Sequence, residues 1–154
     1  MDLLAVRAGE GCVAALHRSD RQGPAFAYGS SFSRAMSLDL EGRQTIFVSG
    51  TSSIGPDGRT LYPDDPERQS VETLLGIAAL IEPLGATLGD IAAGTLFTRD
   101  AQALAAFDRV SRSLCLPELP LVRVRADVCR PELTVEIEAV VHVPAAPVLG
   151  AARP

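Results

Sequence analysis

The sequence predicts an α+β domain, one mixed sheet with two helices packed on a single face. Three observations lead there. Runs of β-branched and aromatic residues alternate in polarity, two amphipathic segments carry N-cap signals, and from Phe32 the order reads β-β-α-β-α-β-β. Strand pairs flank the helical part at both ends, which separates this pattern from a strictly alternating α/β fold. The length of 154 residues suits one domain, and 47% hydrophobic against 21% charged residues is enough to build a core.

Residues 1–31 form a less regular leader, broken by Gly9, Gly11, Gly23, Pro24 and Gly29. Short strands are expected at Leu3–Val6 and Cys12–His17. The main domain, 32–143, opens with a strand over Phe32–Leu40, a turn at Gly42 and a β-rich strand Thr45–Ser49 ending at Gly50. Residues 51–65 hold Gly55, Pro56, Gly58 and Pro63 and read as a loop. Asp65-Pro66 then supplies an N-cap and a first-turn proline. Val71, Leu74, Leu75, Ala78 and Ile81 follow at helical spacing until Pro83 and Gly85. Ile91–Thr98 is the next strand. Asp100 caps a second helix with Leu104, Phe107, Val110 and Leu114 on one face, ending before Pro117. Strands Leu121–Val128 and Leu133–Val143 complete the domain, and 144–154 is an Ala/Pro-rich flexible tail. Helices on one face leave the other sheet face open, so association is expected to cover it.

All 14 basic residues are arginine, so this chain has no lysine for a Schiff base or a phosphate-binding Gly-Lys-Ser/Thr loop. Cationic recognition here must use guanidinium, a planar fork suited to carboxylates. A net charge of -5 with no basic run argues against a nucleic-acid surface. No apolar stretch approaches the roughly 18–20 residues a membrane span needs. Residues 1–7 lack the basic-then-apolar order of a signal peptide. These features predict a cytoplasmic protein whose Cys12, Cys115 and Cys129 remain free thiols.

Alternation in the last two strands places Arg123, Arg125 and Asp127 on one face of the first, and Glu136, Glu138 and His142 together on the second. A short Cys129–Glu132 connection suggests a hairpin. Antiparallel pairing would then set the arginines near the glutamates on the face opposite the helices. Such a cluster is either a carboxylate-binding site with a proton-handling glutamate or a set of cross-strand ion pairs. Gly9-Glu10-Gly11-Cys12-Val13-Ala14 has the outline of a dinucleotide turn, but no acidic residue follows about 20 positions on, and a glycine-rich turn is the better reading. His17 and His142 lie far apart, and no His/Cys spacing suits a metal. Ser49-Gly50-Thr51-Ser52-Ser53 is a strand end and polar turn that can line a pocket. Cys129 is a small buried filler or, in the bolder reading, a thiolate nucleophile.

Ser31-Phe32-Ser33-Arg34-Ala35-Met36, Phe47-Val48-Ser49-Gly50 and Val135-Glu136-Ile137-Glu138-Ala139 resemble, in order, the Rid (YjgF, endoribonuclease L-PSP-like) superfamily. The resemblance implies a chorismate-mutase-like fold, a homotrimeric barrel, and pockets in clefts between subunits. It implies hydrolysis or deamination of a 2-imino or 2-enamino acid without cofactor or metal, the partner being a small carboxylated metabolite. Under it Arg123 holds the carboxylate, Glu136 positions water, and Gly50 lines the pocket. Phe32, Ser49, Thr51, Arg125 and Cys129 complete the expected substrate-binding set. Phe32 stands where a tyrosine is common, and Arg125 where a small residue or cysteine is common. Ser49–Ile54 and Arg125–Leu133 are most similar to the C-terminal half of chorismatases, which implies Cys129 and Glu136 as active-site residues. The alternatives are a chorismatase-like biosynthetic enzyme and a non-catalytic, ligand-binding Rid homologue.

Overall fold

In the computed structural model, which describes Gly9 and residues 12–143, six strands form one sheet in the order β1-β2-β3-β6-β4-β5. They are β1 (Val13–Leu16), β2 (Ala35–Leu40), β3 (Arg43–Ser52), β4 (Ile91–Thr98), β5 (Leu121–Arg125) and β6 (Val135–His142), with helices α1 (Pro66–Ile81) and α2 (Ala101–Ser113). The expected Leu3–Val6 strand, Glu10 and Gly11 of the glycine-rich motif, and the 144–154 tail lie outside the described residues.

Local chemistry sets the helix ends. The Asp65 carboxylate accepts from the Arg68 N–H at 3.1 Å, and the Asp100 carboxylate accepts from the Ala103 N–H at 2.8 Å. Each satisfies an amide with no intrahelical partner. Both helices pack on one sheet face, where Leu74, Ile77, Leu80 and Ile81 of α1 and Ala103, Phe107 and Val110 of α2 meet Ile46, Val48, Leu96, Val135, Ile137, Ala139 and Val141.

The last two strands do not form the expected hairpin. β5 runs parallel to β4, with Leu96 opposite Arg123 and Thr98 opposite Arg125, while β6 lies between β3 and β4, antiparallel to both. Burial decides this. Val135, Ile137, Ala139 and Val141 are all buried, which a central strand achieves and an edge strand does not. β5 is half-buried at best and takes the edge, reached from β4 through the α2 crossover that parallel neighbours require. Residues 126–134 make an irregular connection, closed by a Leu133 N–H bond to the Arg130 carbonyl at 3.0 Å.

Register then separates the expected arginine–glutamate cluster. Leu96 lies level with Arg123 on one side and Ile137 on the other, so these three share the helix-covered face. Phe97 is level with Val124 and Glu136, and these share the open face. Arg123 and Glu136 therefore sit on opposite faces with β4 between them. The arginines face α2, where Arg123 Nη1 pairs with Asp108 at 2.9 Å.

The leader adds a strand and a wall. β1 pairs antiparallel with β2 and extends the sheet beyond it. Buried Gln22 donates from Nε2 to the Ser52 carbonyl at 3.0 Å, which ties the segment before the Ala25–Tyr28 3₁₀ turn to the end of β3.

Candidate functional site

β3 and β6 are in regular register up to Val48–Ala139 and again from Thr51–Ile137, with Ser49 and Gly50 as the irregularity between. Extra residues in one strand re-aim the chain, and bulges of this kind recur beside functional sites. The Ser49 hydroxyl donates to the Ser33 carbonyl at 2.7 Å, and the buried Thr51 hydroxyl donates to the Ser49 carbonyl at 2.9 Å. These two side chains shape the bulge rather than face a cavity. Gly50 does face one. A Cβ at that position would stand 2.5 Å from Glu136 Oε1, so a glycine is what lets the carboxylate lie against the backbone.

A cavity of about 250 Å³ opens here, and it brings together Phe32, Gly50, Cys129 and Glu136 of the expected residues. Ser52 faces Glu136 in register, and its hydroxyl donates to Oε2 at 3.0 Å, which orients the carboxylate. That leaves Oε1 without a hydrogen-bond donor among the described residues. Three further residues that no sequence motif marks as functional also line the space, Tyr28, Arg34 and Arg130. The guanidinium of Arg34 lies 5.4 Å from the ring centres of both Tyr28 and Phe32, and that of Arg130 lies 5.5 Å from Tyr28. A phenol is thus present in the cavity although position 32 is a phenylalanine. No sequence signal marks these residues as neighbours, because only the folded leader carries Tyr28 to the end of β3.

Arg123 lies elsewhere. It lines a second cavity, about 360 Å³, with Phe107, Asp108, Arg112, Glu118 and Leu119, between α2 and the sheet edge. Arg125 is exposed on that edge and has no ion pair among the described residues. Also among the described residues, no group of three or more His, Cys, Asp or Glu could hold a metal, and no helix is long and apolar enough to cross a membrane.

Cys129 is exposed rather than a buried filler, since it sits in the irregular connection and not in the core. Partial desolvation of its thiol against the cavity wall still pushes it up from its ordinary pKa. The nearby Glu136 carboxylate adds to the shift, and Arg130 partly opposes it. A thiolate would bring a second negative charge beside Glu136, so the neutral thiol is favoured at neutral pH. Cys129 thus enters the cavity as a neutral thiol rather than an activated nucleophile. With Cys12 and Cys115 replaced by serine, alkylation of Cys129 by iodoacetamide should be slow at pH 7 and rise only at a pH above that at which an unperturbed thiol ionises. It should quicken at fixed pH when Glu136 becomes glutamine. Rapid alkylation at neutral pH, unchanged by that substitution, would contradict this electrostatic assignment.

Comparison with known proteins bears on this geometry. The family model described as Endoribonuclease L-PSP matches residues 25–143, which include every residue lining the Glu136 cavity. Among solved structures, the Rid-family protein YyfA from Yersinia pestis superposes with a TM-score of 0.68 at 20% identity, covering 85% of this chain and 99% of that one. Escherichia coli TdcF, solved with bound serine, gives 0.66 at 21% identity, covering 83% and 98%. A chorismatase gives 0.69 at 23% identity, covering 85% of this chain and 44% of that one.

Proposed function

The chain belongs to the endoribonuclease L-PSP family, also called Rid or YjgF, and from that premise we propose that it is a hydrolase of a small carboxylated imine or enamine. The observation that carries this reading is the Glu136 carboxylate, held at one oxygen by Ser52 and open at the other, in a cavity of metabolite size. A carboxylate so placed can take a proton from water as that water attacks the imine carbon. It can then return the proton to nitrogen to give a carbinolamine. A second transfer, from the carbinolamine hydroxyl to nitrogen, breaks the C–N bond, releases ammonia and leaves a carbonyl. An enol ether would need the carboxyl in its protonated form to donate to carbon first. Water then adds to the oxocarbenium carbon as the carboxylate takes its proton, and the hemiketal breaks to a carbonyl compound and the alcohol. Likeness to a chorismatase makes that the second substrate class to screen.

Arg123 takes part, in this proposal, across a subunit boundary. It cannot meet Glu136 within one chain, since the two lie on opposite sheet faces. A homotrimer would bring the β5 edge of one subunit to the cavity of the next. Apolar groups on the open face support association, with Val122 on the β5 edge 66% exposed and Met36 also exposed. We expect a trimer by sedimentation and loss of 2-imino acid turnover in Arg123→Ala. A monomeric active species, or full turnover in that variant, would remove Arg123 from the site.

A non-catalytic homologue is the competing reading, motivated by the phenylalanine at position 32. Screening 2-imino acids and chorismate for product, with binding followed in parallel, separates the two. Binding without product across both sets would favour the non-catalytic protein.

A further inference from the structure

We propose that Arg34, flanked by Arg130, is the cavity's own anchor for the carboxylate of a small acid, a role that adds to any made by Arg123 from a neighbouring subunit. The inference rests on the reading of the Glu136 cavity as a ligand site.

Arg34 is 1% exposed, which is rare for an arginine without a counter-ion. Its Nε donates to the Gly23 carbonyl at 3.0 Å, and its buried Nη2 has no hydrogen-bond partner. No carboxylate lies within ion-pairing distance of it among the described residues. The aromatic rings of Tyr28 and Phe32 beside it offer electron-rich surface but no acceptor for its N–H groups. A guanidinium taken from water and left without an anion is costly to bury, and an anion that enters offsets that cost.

Arg130 strengthens the same field. Its Nη1 donates to the Thr60 hydroxyl at 3.1 Å, and that hydroxyl donates to Glu132 at 2.8 Å, which places a carboxylate behind Thr60. Within the cavity wall itself, two guanidinium groups stand against one carboxylate, Glu136. A monocarboxylate balances that charge. Its planar oxygens also match a guanidinium fork, and the Tyr28 and Phe32 rings suit a flat ligand.

Charge selectivity tests the assignment. Binding of pyruvate and of pyruvamide, its neutral isostere, would be titrated by NMR on the wild-type chain, Arg34→Gln, Arg34→Lys, Arg130→Gln and Arg43→Gln. Arg43 lies at the β2–β3 turn and serves as the control. We expect pyruvate to bind the wild type and Arg43→Gln at least about tenfold more tightly than pyruvamide. Arg34→Gln should lose that preference, Arg34→Lys should keep part of it, and Arg130→Gln should reduce it several-fold. If Arg34→Gln fails to fold for want of its Gly23 bond, Arg34→Lys and Arg130→Gln carry the test. Equal affinity for the two probes in the wild type, or an undiminished preference in the folded arginine variants, would overturn the proposal. Turnover of a 2-imino acid, assayed in parallel, separates the two readings. Arginine-dependent binding without turnover would sink the hydrolase and leave the anchor standing, whereas turnover with arginine-independent binding would do the reverse.

Discussion

Replacing Glu136 by glutamine should lower kcat for a 2-imino acid by about 100- to 10,000-fold, the usual weight of a positioned proton-transfer group. Glutamine keeps the shape and can still accept from the Ser52 hydroxyl, so the cavity stays intact while the base is lost. The loss should therefore fall on kcat with little change in KM. It should also exceed that of Ser52→Ala, which removes only the orienting bond. A Glu136→Gln variant with near wild-type kcat would show that the proton is handled by another group.

The second large effect concerns stability. Gln69 of α1 is buried, and its Oε1 accepts from the Thr134 N–H at 2.7 Å and the Thr134 hydroxyl at 2.9 Å. Its Nε2 donates to the carbonyls of Tyr62 and Glu132, both at 2.8 Å. One amide thus clamps the irregular 126–134 connection to the helix, and β6 begins directly after it. Arg99 adds a bond from the other side, donating to the Pro131 carbonyl at 2.5 Å. Gln69→Met fills the same volume but leaves the Thr134 N–H and hydroxyl buried without an acceptor. The two carbonyls each keep one other donor, from Asp65 and Asp64. Desolvated, unpaired groups cost about 1–3 kcal/mol each, so a loss of about 2–6 kcal/mol is expected. For a chain of this size that corresponds to a fall in Tm of roughly 4–24 °C by calorimetry. A change under about 1 kcal/mol would mean that the connection is held by other contacts. Because the same clamp presents Arg130 to the cavity, KM should rise in this variant while Glu136→Gln leaves Tm near the wild-type value.

How far the fold can be read from the chain depends on whether the deciding contact is local. Asp65-Pro66 and Asp100 mark helix starts because each cap is closed within three residues. β4 has the extent its residue types suggest, Ile91–Thr98. The β5–β6 pairing is another matter. Both segments alternate, and a short polar connection joins them, so spacing favours a hairpin. What excludes it is the competition for the sheet centre, which β6 wins through four buried apolar side chains that only α1, β3 and β4 together can cover. The same competition decides that Arg123 and Arg125 face α2 rather than the glutamates, since facing depends on which strand lies alongside.

The cavity divides similarly. Phe32, Gly50, Cys129 and Glu136, singled out from family resemblance, meet in one space. In the sequence Arg34 is visible only as part of the motif that carries the resemblance. Its importance comes from burial under the Gly23–Tyr28 segment, a contact between chain regions with no periodic signature. A buried unpaired cation cannot be inferred from residue type, because exposed arginines look the same on the page.

A crystal structure of the protein soaked with pyruvate tests the joint placement of Arg34 and Glu136 around one ligand. That placement puts the pyruvate carboxylate within hydrogen-bonding distance of Arg34 and its carbonyl carbon facing Glu136 Oε1, beside Gly50. Pyruvate bound instead in the space between Phe107 and Arg123, with the Glu136 cavity empty, would contradict it.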